Sequence, residues 1–314
     1  MIREALRRLR RAGVLGINSR NADYIMRWNP RSHFPLVDNK VLTKRMAEKH
    51  GIPTPPMYLL IEKHGDLPAL RKLLEGRAEF AVKPARGSGG SGIVLVREQS
   101  VKGYVTQSGE VISFSDFAHH VSDILSGIFS LSGLEDVAIV EALIHPDAAF
   151  AAVSYQGVPD VRIVVYRGVP AMSMVRLPTK ASDGKANLHR GAIGAGIEIS
   201  KGTTVTAVHR SQIIAHHPDT GNPVSGIQVP YWEEMLRIAA GTYEMTGLGY
   251  IGVDIALDRD RGPLLLELNA RPGLAIQLAN GRGLRERLEQ IDRIPTGILA
   301  DPGERVVWAK HTFH

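Results

Sequence analysis

Two strongly apolar segments, 249–257 (GYIGVDIAL) and 262–270 (GPLLLELNA), are separated only by Asp258-Arg259-Asp260-Arg261, and they constrain the fold more than any other feature of the chain. Apolar runs of this length around a turn signal read as two adjacent β-strands. Each strand carries one carboxylate, Asp254 or Glu267, in surroundings where an ionised group needs a compensating partner. A turn centred between Asp260 and Arg261 makes these two residues cross-strand neighbours. Directly opposed side chains have Cβ atoms about 4.5–5.5 Å apart, so the carboxylates repel unless a cation sits between them. Asn269 shares a face with Glu267 through the two-residue period of a strand and adds a neutral oxygen. Hard oxygen donors of this kind suit Mg²⁺ on nucleotide phosphates rather than Zn²⁺. The competing reading, two acids on a solvated strand face, fits poorly with strands that are otherwise apolar.

The rest of the chain supplies elements around this pair. Residues 38–50 have helical periodicity, with Asp38 as N-cap and Gly51 as stop, and the prolines that follow end the helix before a short strand at Met57–Ile61. Residues 66–75 and 115–132 read as helices. EFAVKP, RGSGGSG and IVLVRE read as strand, glycine loop and strand, and DVAIVEALI as another strand. Residues 159–177 form a hairpin turning at Arg167–Gly168. Residues 179–197 look like a long functional loop. A helix runs from Val229 to Gly247, and the tail from about Ile291 carries little pattern.

Gly87, Ser88, Gly89, Gly90, Ser91 and Gly92 satisfy G-x-G-x-x-G, but a strand follows where the dinucleotide fold requires a helix, and no Gly-Lys-Ser/Thr closes a Walker loop. A flexible hairpin remains, either a mobile turn or a cover whose backbone N–H groups lie over phosphates. Lys83, ending the preceding strand, could reach the same phosphates. Arg271 directly follows the carboxylate strand and could bind a carboxylate or an oxyanion, against a surface ion pair as the default. Arg162, Arg176 and Arg190 are further anion-binding candidates. His119-His120 and His216-His217 match no ligand pattern and are read as surface or loop histidines.

Composition sets the outer limits. At 314 residues the chain exceeds what one hydrophobic core usually serves, so two or three lobes are expected. It has no cysteine, which excludes disulfides, thiolate metal sites and Cys nucleophiles. No segment reaches the roughly 18 apolar residues that span a bilayer. A formal charge of +6 invites an anionic partner. Arg3, Arg7, Arg8, Arg10 and Arg11 oppose only Glu4 near the N-terminus, which reads as a basic surface helix rather than a secretion signal. The signature motifs of serine hydrolases, zincins and protein kinases are absent.

Taken in chain order, Val82-Lys83-Pro84, the glycine hairpin, Val140 to Ile144, Asp160-Val161-Arg162, Asn187 to Gly191, Gly252 to Ile255 and Glu267 to Gly273 resemble the ATP-grasp carboxylate–amine ligases. Within them the chain most resembles RimK-like alpha-L-glutamate ligases, through NLHRG and ELNARPGL, over about residues 38–285. Its opening, INSRNADYIMRWNPRSHFPLVDNK, is also similar to ATP-grasp proteins associated with sugar transfer.

The resemblance implies a mixed α/β (α+β) ATP-grasp fold with ATP between two α+β lobes. The implied organisation is a truncated N-terminal segment (1–39), a small lobe with a glycine-rich lid (40–142), a large lobe with the magnesium and catalytic site (143–290) and a tail (291–314). It implies that Lys40, Lys83, Lys185 and Asn187 contact phosphates, that Glu141 and the backbone of Ala142, Leu143 and Ile144 read adenine, and that Asp160 lies near the ribose. Asp254, Glu267 and Asn269 would hold Mg²⁺, with Mn²⁺ as an alternative. Arg162, Arg176, Arg190 and Arg271 would bind the acyl phosphate and an acidic substrate. The expected reaction joins glutamate or another amino acid to a peptide or small carboxylate, with ADP and phosphate released, in the cytoplasm. A homo-oligomer is compatible with this; nucleic acid is disfavoured as a partner. A small-molecule kinase, an enzyme of a sugar or polysaccharide pathway and a nucleotide-binding regulator without turnover are the alternatives. Lys83→Ala and Glu267→Gln are each expected to abolish turnover with the fold intact.

Overall fold

A computed structural model describes residues 2–87, 89–130, 133–295 and 299–314. Ser88 therefore lies outside the described residues. The chain forms two compact units: Asn39–Leu42 with Pro55–Ile144, and Met1–Asp38 with Thr43–Thr54 and His145–His314. Both are built on antiparallel sheets with helices, a mixed α/β architecture.

The smaller unit carries β1 (Met57–Ile61), β2 (Phe80–Pro84), β3 (Val94–Ser100), β4 (Gly103–Thr106), β5 (Val111–Ile112) and β6 (Ala138–Glu141), in the order β1-β6-β2-β3-β4-β5. β2 and β3 pair through Phe80↔Val96 to Val82↔Val94, so the glycine segment joins two paired strands as expected. A helix, Phe114–Leu125, starts where the Ser113 hydroxyl accepts from the Asp116 N–H at 3.1 Å. Its buried stripe, Phe117, Val121, Ile124 and Leu125, covers Phe80, Val82, Val96 and Val140. The sequence reading carried this helix to residue 132. It stops earlier because the chain turns at Gly127, whose φ is +78° and where a Cβ would come within 2.2 Å of the Leu134 carbonyl oxygen.

The larger unit carries β7 (Asp160–Tyr166), β8 (Val169–Leu177), β9 (Ile193–Ile197), β10 (Thr204–His209), β11 (Gln212–Ile214), β12 (Tyr250–Asp258) and β13 (Gly262–Asn269), in the order β11-β10-β9-β8-β7-β12-β13. The β7–β8 hairpin turns at Arg167 and Gly168, both with positive φ, as a two-residue hairpin loop requires. The Trp232–Thr246 helix buries Met235, Leu236, Ala239 and Ala240 and ends at Gly247 in the left-handed conformation.

Two readings need correction. The 179–197 stretch is a loop only in its first part; Ile193–Ile197 is a fully buried strand whose small residues allow close packing, since a Cβ on Gly196 would lie 2.4 Å from the Ala279 carbonyl oxygen. The tail contains a helix, Pro302–Thr312, capped by Asp301, whose side chain accepts from the Gly303 and Glu304 N–H groups. Asp followed by Pro at the first helical position was the available signal.

Residues 17–38 pack into the larger unit's core through short helical turns that include a π-type turn, Arg20–Ile25. Tyr24 meets Tyr166 edge-on at 5.3 Å. Asn29 behaves as a strand surrogate: its side-chain oxygen accepts from the Tyr250 N–H at 2.8 Å and its amide donates to the Tyr250 carbonyl at 2.7 Å. Arg20 donates to the Pro272 carbonyl at 2.8 Å. The segment thus fixes both the start of β12 and the chain just beyond β13. Among the described residues no helix is long and apolar enough to cross a membrane.

Candidate active site

Four neighbouring strands of the larger sheet, β8, β7, β12 and β13, gather most of the charged candidates. The register pairs Arg176 with Asp160, Arg162 with Asp254, and Asp254 with Glu267. The expected carboxylate pairing is therefore present, but by a different route. The turn is centred on Asp260, because Asp258 pairs with Gly262 and Ile255 with Leu265. Leu266 is then an extra residue, a β-bulge, and it advances the register so that Glu267 meets Asp254. Without that bulge Leu266 would face Asp254, and Glu267 and Asn269 would turn to the other side of the sheet.

The compensation that these buried acids require comes from guanidinium groups. Asp254 is fully buried. Its Oδ1 accepts from Arg162 Nε at 2.7 Å, and its Oδ2 accepts from Arg162 Nη2 at 2.6 Å, Arg176 Nη2 at 2.7 Å and Asn269 Nδ2 at 3.2 Å. Arg176 also holds Asp160 through bonds of 2.5 and 2.7 Å. Burial acts to raise the Asp254 pKa, but the charges and hydrogen bonds of Arg162 and Arg176 outweigh it and hold the carboxyl below its ordinary value. For Asp160 burial wins and pushes the carboxyl up, against the attraction of Arg176 and with the Asp254 charge adding to the rise. Asn269 Nδ2 also lies 3.5 Å from Glu267 Oε1.

The other candidates of this unit lie as follows. Asn187 caps the short turn Leu188–Arg190, its side-chain oxygen accepting from the His189 N–H at 3.0 Å. Lys185 pairs with Asp183 at 3.2 Å. Arg190 is exposed at the end of that turn. Arg271 is exposed, with its guanidinium 5.6 Å from the centre of the Phe34 ring. His217 is a loop histidine, as read, but a buried one, with Nε2 donating to the Pro178 carbonyl at 3.0 Å and Nδ1 accepting from the Asp219 N–H.

In the smaller unit Lys83 on β2 and Glu141 on β6 form a buried ion pair. Lys40 donates to the Gly87 carbonyl at 2.6 Å. In the glycine segment Gly89, Gly90 and Gly92 all have positive φ, which any residue but glycine would strain to adopt. Gly87 packs so closely on Pro84 that a Cβ would come within 2.3 Å of its ring. Ser91 belongs to the same segment. The Ala142 N–H is already committed to the Pro56 carbonyl at 2.9 Å, leaving only its carbonyl to meet a ligand; Leu143 is buried and Ile144 half-buried. The residue that sequence reasoning missed is Leu266. Its signal was concealed by the run Leu264-Leu265-Leu266, in which a slip of one residue leaves no mark on the pattern.

The donor set fits an oxygen-preferring divalent ion. Among the described residues Asp254 Oδ1 accepts one hydrogen bond, while Glu267 and Asn269 project from facing and next-but-one positions. Among the described residues no cluster of three or more His, Cys, Asp and Glu forms a metal cage. Mg²⁺ does not need one, since it commonly takes one or two carboxylates and completes its shell with phosphates and water.

Comparison with known proteins finds relatives and a matching family. The chain is 24% identical over 270 residues to a probable alpha-L-glutamate ligase of Aeromonas salmonicida, covering 85% of this chain and 67% of that protein. It is 22% identical over 247 residues to a probable alpha-L-glutamate ligase of Pseudomonas putida, covering 78% and 60%. The chain thus spans about two thirds or less of the length of these relatives. Among solved structures, the D-cycloserine synthetase DcsG matches with a TM-score of 0.47 at 17% identity, covering 82% of this chain and 73% of that one. D-alanyl-alanine synthetase A of Vibrio cholerae matches with a TM-score of 0.47 at 12% identity, covering 90% and 66%. The model of the sugar-transfer associated ATP-grasp family matches residues 19–293. That span takes in the glycine segment, the Lys83–Glu141 pair and the Asp254, Glu267 and Asn269 face, and the chain belongs to the sugar-transfer associated ATP-grasp family.

Proposed function

We propose that the protein is an ATP- and Mg²⁺-dependent carboxylate–amine ligase that activates its acid substrate as an acyl phosphate. The observation that carries this reading is the Leu266 bulge, which sets Glu267 and Asn269 beside Asp254 on the face that also bears Arg162 and Arg176. In the proposed site Asp254, Glu267 and Asn269 hold the ion, which when bound neutralises charge on the transferring phosphoryl oxygens.

A carboxylate is a poor electrophile, so the γ-phosphoryl is transferred to it. An amine then attacks the acyl phosphate and expels inorganic phosphate, leaving an amide. Arg162 and Arg176 offer fixed donors to an anion arriving at this face, the arrangement that lowers barriers in such transfers. Lys40, Lys83 and the glycine segment, including Ser88, serve the phosphates. Glu141 with Ala142 to Ile144 serves the adenine, Asp160 the ribose, and Lys185 and Asn187 the phosphate end. Arg190 and Arg271 serve the acid substrate. The glycine segment acts as a lid that excludes water from the acyl phosphate. In this scheme residues of the smaller unit serve the nucleotide and residues of the larger unit the metal, and dependence on ATP points to the cytoplasm.

The amino donor is glutamate or another amino acid, and the acceptor a peptide or small carboxylate. A second reading, favoured by the family model, places the amine or acid on a sugar. Incubation with ATP, Mg²⁺ and a panel of amino acids, peptides and amino sugars tests both. ADP release with a product heavier by one amide linkage supports ligation. AMP release would remove the acyl-phosphate mechanism, and a phosphorylated product would show a kinase instead.

A further inference from the structure

The helix Ile2–Arg11 sorts its residues into two opposed faces. In the sequence Ile2, Ala5, Leu6 and Leu9 recur at i, i+3, i+4 and i+7, the stripe that a surface helix ordinarily turns towards a core. Every other position is charged, five arginines against Glu4, and this short segment carries most of the chain's formal +6. At about 3.6 residues per turn, Glu4, Arg7, Arg8 and Arg11 fall within one arc of about 100°, with Leu9 on the opposite side.

The fold does not cover Leu9, which is 49% exposed, and Glu4, Arg7, Arg8 and Arg11 are exposed as well. Glu4 stands 3.7 Å from both Arg7 and Arg8, in pairs too exposed to cancel the arginine charge. A helix of ten residues is marginal in water unless an apolar face is covered. Its partner must therefore take an apolar stripe and a cationic face together.

The helix is joined to the larger unit by a fixed junction. The chain turns at Gly13, whose φ is +67°, and the Arg285 N–H donates to the Gly13 carbonyl at 3.0 Å. The Gln277 side chain then holds Leu15 on both sides, accepting from its N–H at 2.8 Å and donating to its carbonyl at 3.1 Å, and Leu15 is buried. Whatever holds the helix therefore holds the body of the larger unit.

We propose that the Ile2–Arg11 helix binds the surface of an anionic lipid bilayer. It lies in the plane of the interface, with the Leu9 face towards the acyl chains and the arginines among the phosphate headgroups. A nucleic acid would engage the arginines and leave Leu9 in water, whereas a lipid surface takes both faces. This membrane contact is independent of the ligase reading.

Co-sedimentation of the full chain with vesicles of equimolar phosphatidylcholine and phosphatidylglycerol tests it, with phosphatidylcholine vesicles as the uncharged control. Binding to the mixed vesicles is expected at physiological salt, and at least tenfold weaker binding to the control. Arg7→Glu with Arg8→Glu should weaken it more than tenfold through the lost headgroup attraction, and Leu9→Ser about tenfold through the lost apolar burial. Both variants change exposed side chains, and thermal denaturation should show the parental midpoint in each. Removal of residues 1–12 should abolish binding. Absence of binding by the full chain overturns the proposal, as does binding that survives the truncation. Parental affinity in Leu9→Ser also overturns it, because charge alone would then carry the contact, as on DNA or RNA.

Discussion

Asp254 illustrates how one side chain can be required by both stability and chemistry. Its carboxylate is shared by two guanidinium groups inside the larger sheet. Replacing it takes the counter-charge from Arg162, while Arg176 keeps Asp160, a loss of about 3 kcal/mol for a pair of this kind. Asp254→Asn should therefore lower the urea midpoint markedly as well as abolish ADP release. Glu267 is half-buried at the edge of the same cluster, and Glu267→Gln should abolish turnover while changing stability by about 1 kcal/mol or less. Parallel denaturation and ADP-release measurements separate the two; equal stability in both variants would contradict the burial argument. Lys83 falls on the Asp254 side of this contrast. The sequence suggested a strand-end lysine that could be removed with the fold intact, but Lys83 is buried against Glu141. Lys83→Ala should thus cost several kcal/mol by stranding that carboxylate, and Lys83→Met with Glu141→Leu should recover most of it.

At the scale of elements, the strands flanking the site were legible because apolar runs broken by turn residues leave few alternatives. The β2–β3 and β7–β8 hairpins follow from RGSGGSG and Arg167-Gly168, and the Trp232–Thr246 helix from its apolar spacing. What stayed hidden has specific causes. β9 reads as loop because Gly194, Ala195 and Gly196 have little strand propensity, and only the approach of Ala279 explains why small residues belong there. The Leu266 bulge is silent in a run of identical residues, so the correct carboxylate pairing was reached with the turn misplaced by half a residue. That Asp254 is held by arginines could not be read from spacing, which shows which residues share a face but not which side chains touch. Gly252 gives a test at this scale. It faces Asn269 across β12 and β13, and a Cβ there would lie 2.7 Å from the Pro272 side chain. Gly252→Ala should cost about 1–3 kcal/mol by overpacking and displace the chain that carries Asn269. A thermal melt and a Mn²⁺-binding isotherm check it: a lowered midpoint with weakened ion binding is expected, and an unchanged pair of values would refute the link.

For the whole molecule, the order of residues along the chain differs from the order in which they are used. The larger unit draws on Met1–Asp38, Thr43–Thr54 and His145–His314, so its core is assembled from segments far apart in sequence. Leu15, Tyr24, Ile25 and Val37 are buried with β7, β8 and β12, and Asn29 and Arg20 bond the backbone on either side of the site. Residues 2–11 differ: they form a helix whose described side chains, Glu4, Arg7, Arg8, Leu9 and Arg11, are all exposed. Two truncations should therefore behave in opposite ways. Removal of residues 1–12 takes away a helix whose described side chains are all exposed and should move the unfolding free energy by about 1 kcal/mol or less. Removal of residues 1–38 opens the face of Tyr166 and Tyr250 and unpairs the Tyr250 backbone, so cooperative melting should be lost. Calorimetry of the two truncated chains beside the parent decides the matter, because a sharp transition in the shorter one would mean that the core closes without its N-terminal segment.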